Sequence, residues 1–262
     1  MPLCNRCSRP HYVARLYLAA PPRTNLSGCE TLRYKVGLRH SVCNMPTVLD
    51  HLFILCDAGA PEAAALARIG LIEGPPNNHP GQGTACRRFF FPRQYVELLW
   101  IEDRTEALSD ATRPTRLWDR WSARRQGACP FGLVFTTDDD MTVTAPFPTR
   151  AYEPAYLPRG LAIQVAIDTP LTEPEFFFLP SRSASTGPPR PVQAALPGTS
   201  ITHLRLGTPA GIPSSPAVLW ATSIGLLSFE RAEQFRLTVT FEGAADGGFA
   251  DSTPELPLAF QW

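Results

Sequence analysis

Residues 48–70, which read VLDHLFILCDAGAPEAAALARIG, decide the fold. The first nine residues of this stretch form a short apolar run, typical of a buried β-strand, with an Asp-His pair near its start. In the remainder, alanines and Leu66 favour a helix, Pro61 suits its first turn, and Gly70 suits its end. The regular part of the chain therefore begins with a strand that leads directly into a short helix.

His51 is the unusual residue of this strand, because a buried imidazole needs a hydrogen-bond partner, a metal or an opening to water. Strand side chains alternate between the two faces of a sheet, so His51 shares a face with Phe53 and Leu55. Its role therefore depends on what other strands place on that face.

Composition limits the classes of partner. The chain has 262 residues, 44% of them hydrophobic, which suffices for one sizeable core or two small ones. Its formal net charge is zero, so we expect no nucleic-acid partner. No apolar run approaches the roughly 20 residues that span a bilayer, and the N-terminus lacks the order of a signal peptide. We therefore expect a cytoplasmic protein with no membrane partner.

The N-terminal residues 1–44 differ from the rest, since they show no hydrophobic periodicity. They hold four of the seven cysteines, and Cys4-x-x-Cys7 with later Cys and His residues allows a zinc-knuckle interpretation. However, only one close Cys pair exists, and the later residues lack the paired spacing of a tetrahedral site. We interpret 1–44 as a disordered leader or a non-native upstream extension, with a natural translation start at Met45.

The pattern within 47–103 predicts the order β-α-β-β-β. After the first strand and helix, 71–73 is a short strand candidate, and the Pro, Asn and Gly content of 74–84 predicts a long loop. Two strands joined by a turn follow at 85–92 and 94–103.

Residues 104–180 predict a looser copy of this module. It begins with a helix over 104–127 and a strand over 129–136, and after a Pro-rich loop it ends with strands at 161–168 and 175–180. The Ser/Pro/Gly-rich stretch 181–199 predicts a linker.

A third βαββ module is predicted over 199–262. It comprises a strand at 200–207, a helix at 214–229 and strands at 235–243 and 255–262. The fold class is therefore α+β with repeated modules. Two modules side by side can curl their sheets into an open half-barrel with helices outside, so we assign one domain to 45–198 with the third module packed on it.

Three segments carry a family resemblance: LDHLFILCDAGAPEAAALARIGLIEG, NNHPGQGTACRRFFF and YVELLWIED. Together they resemble the glyoxalase-like proteins of the vicinal oxygen chelate superfamily. The close match covers about residues 47–103. The resemblance implies paired βαβββ modules, here 47–103 and 104–180. In catalytic members it also implies a divalent metal held by the first and last strand of each module.

His51 lies where the family has its first-strand histidine ligand, and Glu97 where it has its fourth-strand carboxylate. The resemblance therefore implies that both residues bind a metal and that Glu97 takes part in catalysis. One imidazole and one carboxylate suit Fe(II), Mn(II), Ni(II) or Zn(II). In the alternative interpretation, a buried His51–Glu97 hydrogen bond only braces the sheet.

The second module departs from the family pattern, because Gly132 stands where a partner histidine is expected. Two residues are candidates for completing the ligand set. Glu175 aligns with Glu97, and His203 in the third module is analogous to His51. The alternatives are a helix-cap or exposed position for Glu175 and a hydrogen-bonded or surface position for His203.

The glycine-rich loop and the strand after it carry further candidates. Asn78 and Gln82 offer donors and acceptors for a substrate, and His79 is a candidate general base. Arg88 is predicted to face inward and bind an anionic substrate group, with Arg87 facing outward. Because no phosphate-binding helix follows the glycines, we expect no nucleotide cofactor.

These residues together predict a metal-dependent enzyme of the glyoxalase/lyase/isomerase or dioxygenase type. Its substrate would be a small oxygen-rich carbonyl, enediol or catechol-like molecule. The alternative is a non-catalytic protein that sequesters a small molecule without metal, which the missing partner histidine favours. A scaffold whose site has decayed is a third alternative. A homodimer is also expected, since modules of this kind often complete their cavities by dimerising.

Overall fold

The computed structural model shows a mixed α+β fold. The described residues are 47–137, 144–179, 191, 193, 196, 200–242 and 247–262. The interpretation of residues 1–44 and most of the predicted linker 181–199 fall outside them. Asn44–Trp262 form one compact unit, and no helix among the described residues is long and apolar enough to cross a membrane.

The first module has the predicted order β-α-β-β-β. Its elements are β1 (Thr47–Leu55), α1 (Ala63–Arg68), β2 (Asn77–His79), β3 (Thr84–Phe90) and β4 (Tyr95–Ile101). One prediction was wrong: residues 71–73 form no strand, and the second strand lies at 77–79 inside the predicted loop. This short strand is polar because it pairs only with β3, at the edge of the sheet.

The second module contains α2 (Arg104–Ala107), α3 (Leu117–Ala123), β5 (Phe131–Thr137), β6 (Thr149–Tyr152), β7 (Ile163–Ala166) and β8 (Glu175–Phe178). The single helix predicted over 104–127 is interrupted. Pro114 lies in a separate 3₁₀ turn, and Arg116 adopts a left-handed φ of 54° before α3 begins. Strand β6 lies in the stretch predicted as a loop.

The two modules share one curled sheet. Its eight strands follow the order β2-β3-β4-β1-β5-β8-β7-β6, which confirms the paired modules and the half-barrel. Strands β1 and β5 join the modules as an antiparallel pair, and each is followed outward by a parallel neighbour, β4 or β8. Corresponding strands of the two modules therefore flank the centre of the sheet.

The third module forms a separate five-stranded sheet. Its elements are β9 (Ile201–Thr208), α4 (Pro216–Ser223), β10 (Leu227–Arg231), β11 (Arg236–Phe241), β12 (Phe249–Asp251) and β13 (Leu258–Gln261). The helix predicted over 214–229 is shorter than expected. Gly225, with φ +77°, follows its end, and the rest of the predicted helix becomes β10. The module has five strands, two more than the predicted βαββ, since β10 and β12 are additional.

The two faces of the eight-stranded sheet have different roles. The outer face packs against the third module in one continuous core, in which Leu52 and Leu98 join Leu204 and Val239. The inner face carries a second apolar cluster and borders a cavity. Strand β1 is therefore buried on both faces, which explains its nearly continuous apolar sequence.

Candidate functional site

The inner face of the curled sheet encloses a cavity of about 650 Å³, lined by both modules. Its polar lining comes mainly from the first module: His51, Asn77, His79, Gln82, Arg88 and Glu97. Its apolar lining includes Phe53, Leu99, Leu117, Val134, Phe177 and Leu179. A cavity with this volume and a few converging polar groups is typical of a small-molecule site.

His51 and Glu97 meet at the polar end of the cavity. Strand β1 runs parallel to β4, with His51 beside Tyr95 and Phe53 beside Glu97, which turns both polar side chains to the inner face. His51 Nε2 lies 3.6 Å from Glu97 Oε2, and both residues are buried. The imidazole stacks on the ring of Tyr95 at a centroid distance of 4.2 Å. The sequence-predicted pair is thus brought together.

Asp50 sets the orientation of His51. Its Oδ2 lies 2.7 Å from His51 Nδ1, and a carboxylate can only accept, so Nδ1 carries the proton. In the neutral ring, the lone pair of Nε2 then points toward Glu97. A carboxylate that holds the far nitrogen of an imidazole is the usual support of a metal-binding histidine.

His79 lies on the same wall, carried by the short strand β2. Because β2 alternates, Asn77 and His79 line the cavity, whereas Asn78 is exposed and does not line it. His79 Nδ1 lies 2.9 Å from Thr84 Oγ1, and Nε2 lies 3.0 Å from Asn77 Nδ2. An amide nitrogen only donates, so Nε2 accepts and the proton resides on Nδ1. Burial lowers the pKa of His79, with Glu97 opposing the shift, which favours the neutral ring.

Gln82 connects the two modules across the cavity. Its Nε2 donates to Thr84 Oγ1 at 2.8 Å, and its Oε1 accepts from the Tyr156 hydroxyl at 2.9 Å. Sequence patterns do not identify Tyr156 as a site residue, because it lies in a Pro-rich stretch with no motif. Only its place in the structure brings it to Gln82.

The loop between β2 and β3 is held by Glu106 of α2. Glu106 Oε2 accepts from the backbone N–H groups of Gly81 and Gly83 at 2.7 and 3.0 Å. Gly83 has a φ of +73°, and a Cβ there would lie 2.3 Å from the carbonyl oxygen of Asp103. Only glycine fits this turn, which fixes the path of the chain between His79 and Gln82.

The two arginines of β3 point to opposite faces. Arg88 lines the cavity, where its Nε donates to the Pro75 carbonyl oxygen at 2.9 Å and its guanidinium lies 5.1 Å from the centroid of Phe90. Arg87 faces the other side, where it pairs with Glu73 and donates to the Ala60 carbonyl oxygen.

Cys86 adds a donor atom that the sequence interpretation missed. Ligand atoms of His79, Cys86 and Glu97 all lie within 4.8 Å of one another. Burial, helped by Glu97, raises the pKa of the Cys86 thiol far above neutrality, so the thiol is protonated in the metal-free protein. Its position was predictable in principle, since Cys86 lies two residues from Arg88 and therefore on the same face of β3.

Glu175 is not brought to this cluster. Its Oε2 accepts from Arg120 Nε at 2.6 Å, and both side chains are fully buried. Arg120 also donates to the carbonyl oxygens of Glu173 and Leu171. The carboxylate that was a candidate third ligand is therefore bound by an arginine of α3.

His203 is likewise engaged elsewhere. It lies on β9 in the other sheet, where its ring nitrogens contact the Gly225 carbonyl oxygen at 2.9 Å and Ser228 Oγ at 2.7 Å. This arrangement matches the hydrogen-bonded alternative rather than the ligand role.

Gly132 is a glycine for a steric reason. A Cβ at this position would lie 2.0 Å from Cζ of Phe53 on the neighbouring strand β1. The Phe53 ring thus fills the space that a side chain at 132 would need. Of the two second-module positions considered as ligands, 132 therefore has no side chain and Glu175 is bound by Arg120.

Comparisons with solved structures found distant likenesses. A hypothetical protein from Staphylococcus aureus is 11% identical, with a TM-score of 0.41, covering 83% of this chain and 98% of that one. Methylmalonyl-CoA epimerase from Mycobacterium tuberculosis is 12% identical, with a TM-score of 0.32, covering 52% and 88%. A hypothetical protein from Bacillus halodurans C-125 is 12% identical, with a TM-score of 0.34, covering 54% and 99%. These likenesses are too remote to indicate an activity.

A family model gives the decisive comparison. No curated relative matches the chain at a significant level. In contrast, the model described as a glyoxalase-like domain matches residues 49–209. This range is more than half of the chain and includes both modules, His51, Glu97 and the cavity between them. The chain therefore belongs to the glyoxalase-like domain family.

Proposed function

We propose that this protein is a metal-dependent enzyme acting on a small carbonyl, enediol or catechol-like molecule. The observation that carries the proposal is the Asp50–His51–Glu97 arrangement. Asp50 accepts from Nδ1 of His51, so Nε2 faces a buried carboxylate oxygen 3.6 Å away, at the end of a ligand-sized cavity.

The donor atoms fit a divalent ion. Two atoms bound to one ion at about 2.1 Å each are separated by at most about 4.2 Å, and the His51–Glu97 distance satisfies this limit. His79 and Cys86 have ligand atoms within 4.8 Å of Glu97, so Glu97 would be the carboxylate shared by His79 and His51. Imidazole and carboxylate ligands suit Fe(II), Mn(II), Ni(II) or Zn(II). When bound, such an ion would polarise substrate oxygens and stabilise an anion. Cys86 would join the set only after losing its proton.

The surrounding residues supply the other requirements of proton-transfer chemistry. Glu97 and His79 each offer an atom that can accept a proton from a substrate carbon or hydroxyl. Arg88 offers unused N–H donors to a carboxylate or enolate oxygen. Gln82, held between Thr84 and Tyr156, restricts where the substrate lies.

Metal analysis tests whether the protein binds a divalent ion. Wild-type protein supplied with Mn(II), Fe(II), Ni(II) or Zn(II) should retain about one ion per chain after desalting. The variants His51→Ala and Glu97→Gln should lose it. His203→Ala is the matched control and should retain the ion, because His203 is held by Ser228 in the other sheet. Wild type that binds none of the four ions would refute the proposal.

Hydrogen–deuterium exchange at a substrate carbon tests whether the protein catalyses proton transfer. Hydroxyacetone in deuterated water should lose protons next to its carbonyl faster with metal-loaded enzyme than with metal-free enzyme, as followed by NMR. Glu97→Gln, which should not retain the ion, should exchange these protons at least about tenfold more slowly than metal-loaded wild type. Exchange that is unchanged by metal and by this variant would exclude an enolising activity.

A metal-free binding protein is the second candidate, favoured by the second module. Gly132 has no room for a ligand side chain, and the Glu175 carboxylate is held by Arg120. On this alternative, the cavity would bind an aromatic molecule with the same affinity before and after treatment with a chelator.

A further inference from the structure

The cavity lining is divided between the modules, and the division indicates the kind of molecule that fits. The first module supplies the polar groups around His51, Glu97 and Arg88, whereas the second supplies mainly apolar groups such as Val134 and Phe177. We infer that the ligand is amphipathic, with an oxygen-bearing head at the first module and a bulky apolar body, such as an aromatic ring, against the second. The position of the head rests on the proposed function; the apolar wall does not.

The apolar wall is built by three neighbouring strands. Phe53 projects from β1, Val134 from β5 and Phe177 from β8, and the rings of Phe53 and Phe177 lie 5.8 Å apart. Leu179 continues the wall. An aromatic ring placed here would bury its faces against aromatic and aliphatic side chains, whereas a methyl group would leave most of the wall in contact with water.

Two packing details explain why this half of the cavity is apolar. Gly132 lets the Phe53 ring lie across β5, because any side chain there would collide with it. Arg120 donates to the Glu175 carboxylate and also to a backbone carbonyl oxygen, so the charged groups of this pair bond within the protein. The two positions where a polar group would be expected are thus a glycine covered by an aromatic ring and a neutralised carboxylate.

Charge determines how the head binds. Among the described residues that line the cavity, the charged ones are Arg88 and Glu97, whose formal charges cancel when the histidines are neutral. A divalent ion would make this lining positive by two units. An anionic head therefore depends on the metal, whereas the apolar body does not.

The cavity opening provides a variant that does not disturb the core. Leu161 lines the cavity and is 38% exposed, so a serine there removes apolar contact without leaving a buried void. Leu219 on α4 of the other sheet is 57% exposed and lies outside the cavity lining, which makes it the matched control.

The test compares two probes that share a 2-oxo acid head, pyruvate and phenylpyruvate, by calorimetry on Mn(II)-loaded protein. Phenylpyruvate should bind at least about tenfold more tightly, since its ring contacts the wall. Leu161→Ser and Phe177→Ala should reduce this ratio severalfold, and Leu219→Ser should leave it unchanged. Thermal unfolding of each variant checks that it is folded.

The outcomes separate this inference from the proposed function. Equal affinity for the two probes, or equal effects of Leu161→Ser and Leu219→Ser, would overturn the amphipathic ligand even if the metal binds. Conversely, 1-naphthol, a neutral aromatic probe, should bind metal-free protein. Leu161→Ser should weaken that binding as it weakens the binding of phenylpyruvate. That result in a protein that takes up no metal would support the apolar wall while refuting the metalloenzyme.

Discussion

Asp50 determines which ring nitrogen of His51 can bind a metal, so the effect of an Asp50 substitution on metal affinity can be predicted. Asp50→Asn can offer its amide oxygen to Nδ1 but no longer places a negative charge there. We expect metal affinity to fall about 10- to 100-fold, as measured by competition with a chelator of known affinity. Asp110→Asn, at a carboxylate that is 94% exposed, is the control and should bind as wild type does. Equal affinities for wild type and Asp50→Asn would show that the Asp50–His51 contact does not support a ligand.

The Arg120–Glu175 pair predicts a large stability difference between two arginines. Arg120→Ala leaves a buried carboxylate without its partner, which should lower the free energy of unfolding in urea by about 3–5 kcal/mol. Arg87→Ala removes a partner of Glu73 at a site where both side chains are about one-third exposed, and should cost less than about 1 kcal/mol. Similar losses for both variants would contradict this assignment.

The same pair gives a pH dependence. Burial raises the pKa of Glu175 above its ordinary value, and Arg120 opposes that shift. Arg120→Ala should raise this pKa further, so the folded variant takes up a proton more readily than the unfolded chain does. A raised folded-state pKa adds stability as pH falls, so the deficit relative to wild type should be smaller at about pH 5 than at about pH 8. Urea titrations at the two pH values measure it.

The candidate site shows how far residue patterns reach. The contact between His51 and Glu97 is predictable from the sequence, because strand alternation and the family resemblance both place the two residues on one face. A segment interpreted as a loop has no defined faces, so the sequence does not distinguish Asn78 from Asn77; because residues 77–79 form a strand, Asn77 turns inward. Glu175 lies on a strand as predicted, but its partner Arg120 is 55 positions away along the chain. Sequence periodicity carries no information on such a pairing.

Two glycines with positive φ give a prediction at the level of the loops. Gly83→Ala places a Cβ 2.3 Å from a backbone carbonyl oxygen, whereas Gly127→Ala meets nothing within 4 Å. Both variants carry the conformational cost of a left-handed residue, about 1 kcal/mol, but only Gly83→Ala must also move the loop that carries Gln82. We expect it to lose clearly more unfolding free energy than Gly127→Ala and also to weaken ligand binding. Equal unfolding free energies and equal ligand affinities for the two variants would mean that the loop accommodates the extra Cβ at position 83.

The elements differ in how well the sequence predicts them. Long apolar strands such as β1 and β11 were predicted because burial imposes their pattern. The strand β10 was predicted as helix because Leu227 continues the apolar run of α4. The break comes from Gly225 and from the parallel pairing of β10 with β9, a tertiary contact that local pattern does not encode.

At the scale of the whole molecule, the third module acts as a support for the curled sheet. It supplies much of the core behind the strands that carry His51 and Glu97, and its Phe241 lies 4.6 Å from the Phe91 ring, which follows β3. The sequence predicts a third module packed on the first two, but not which face of the curled sheet it covers. Its position on the outer face follows from the apolar residues that the eight-stranded sheet presents there, since that face could not remain in water.

Phe241→Ala tests whether the two sheets share one cooperative core. The variant should lose about 3–5 kcal/mol of unfolding free energy, because a buried ring is replaced by a void next to Phe91 and Phe260. Phe249→Ala, at a ring that is 59% exposed on the same sheet, is the control and should change stability by less than about 0.5 kcal/mol.

The shape of the unfolding curve carries the rest of this prediction. Tryptophans lie on both sheets, with Trp100 in the first and Trp262 next to β13, so fluorescence and far-UV circular dichroism together report on both. In urea, the two signals should show a single coincident transition, shifted to lower urea in Phe241→Ala. Two separate transitions would show that the five-stranded sheet unfolds on its own. In that case the curled sheet could hold His51 and Glu97 in place without the support behind it.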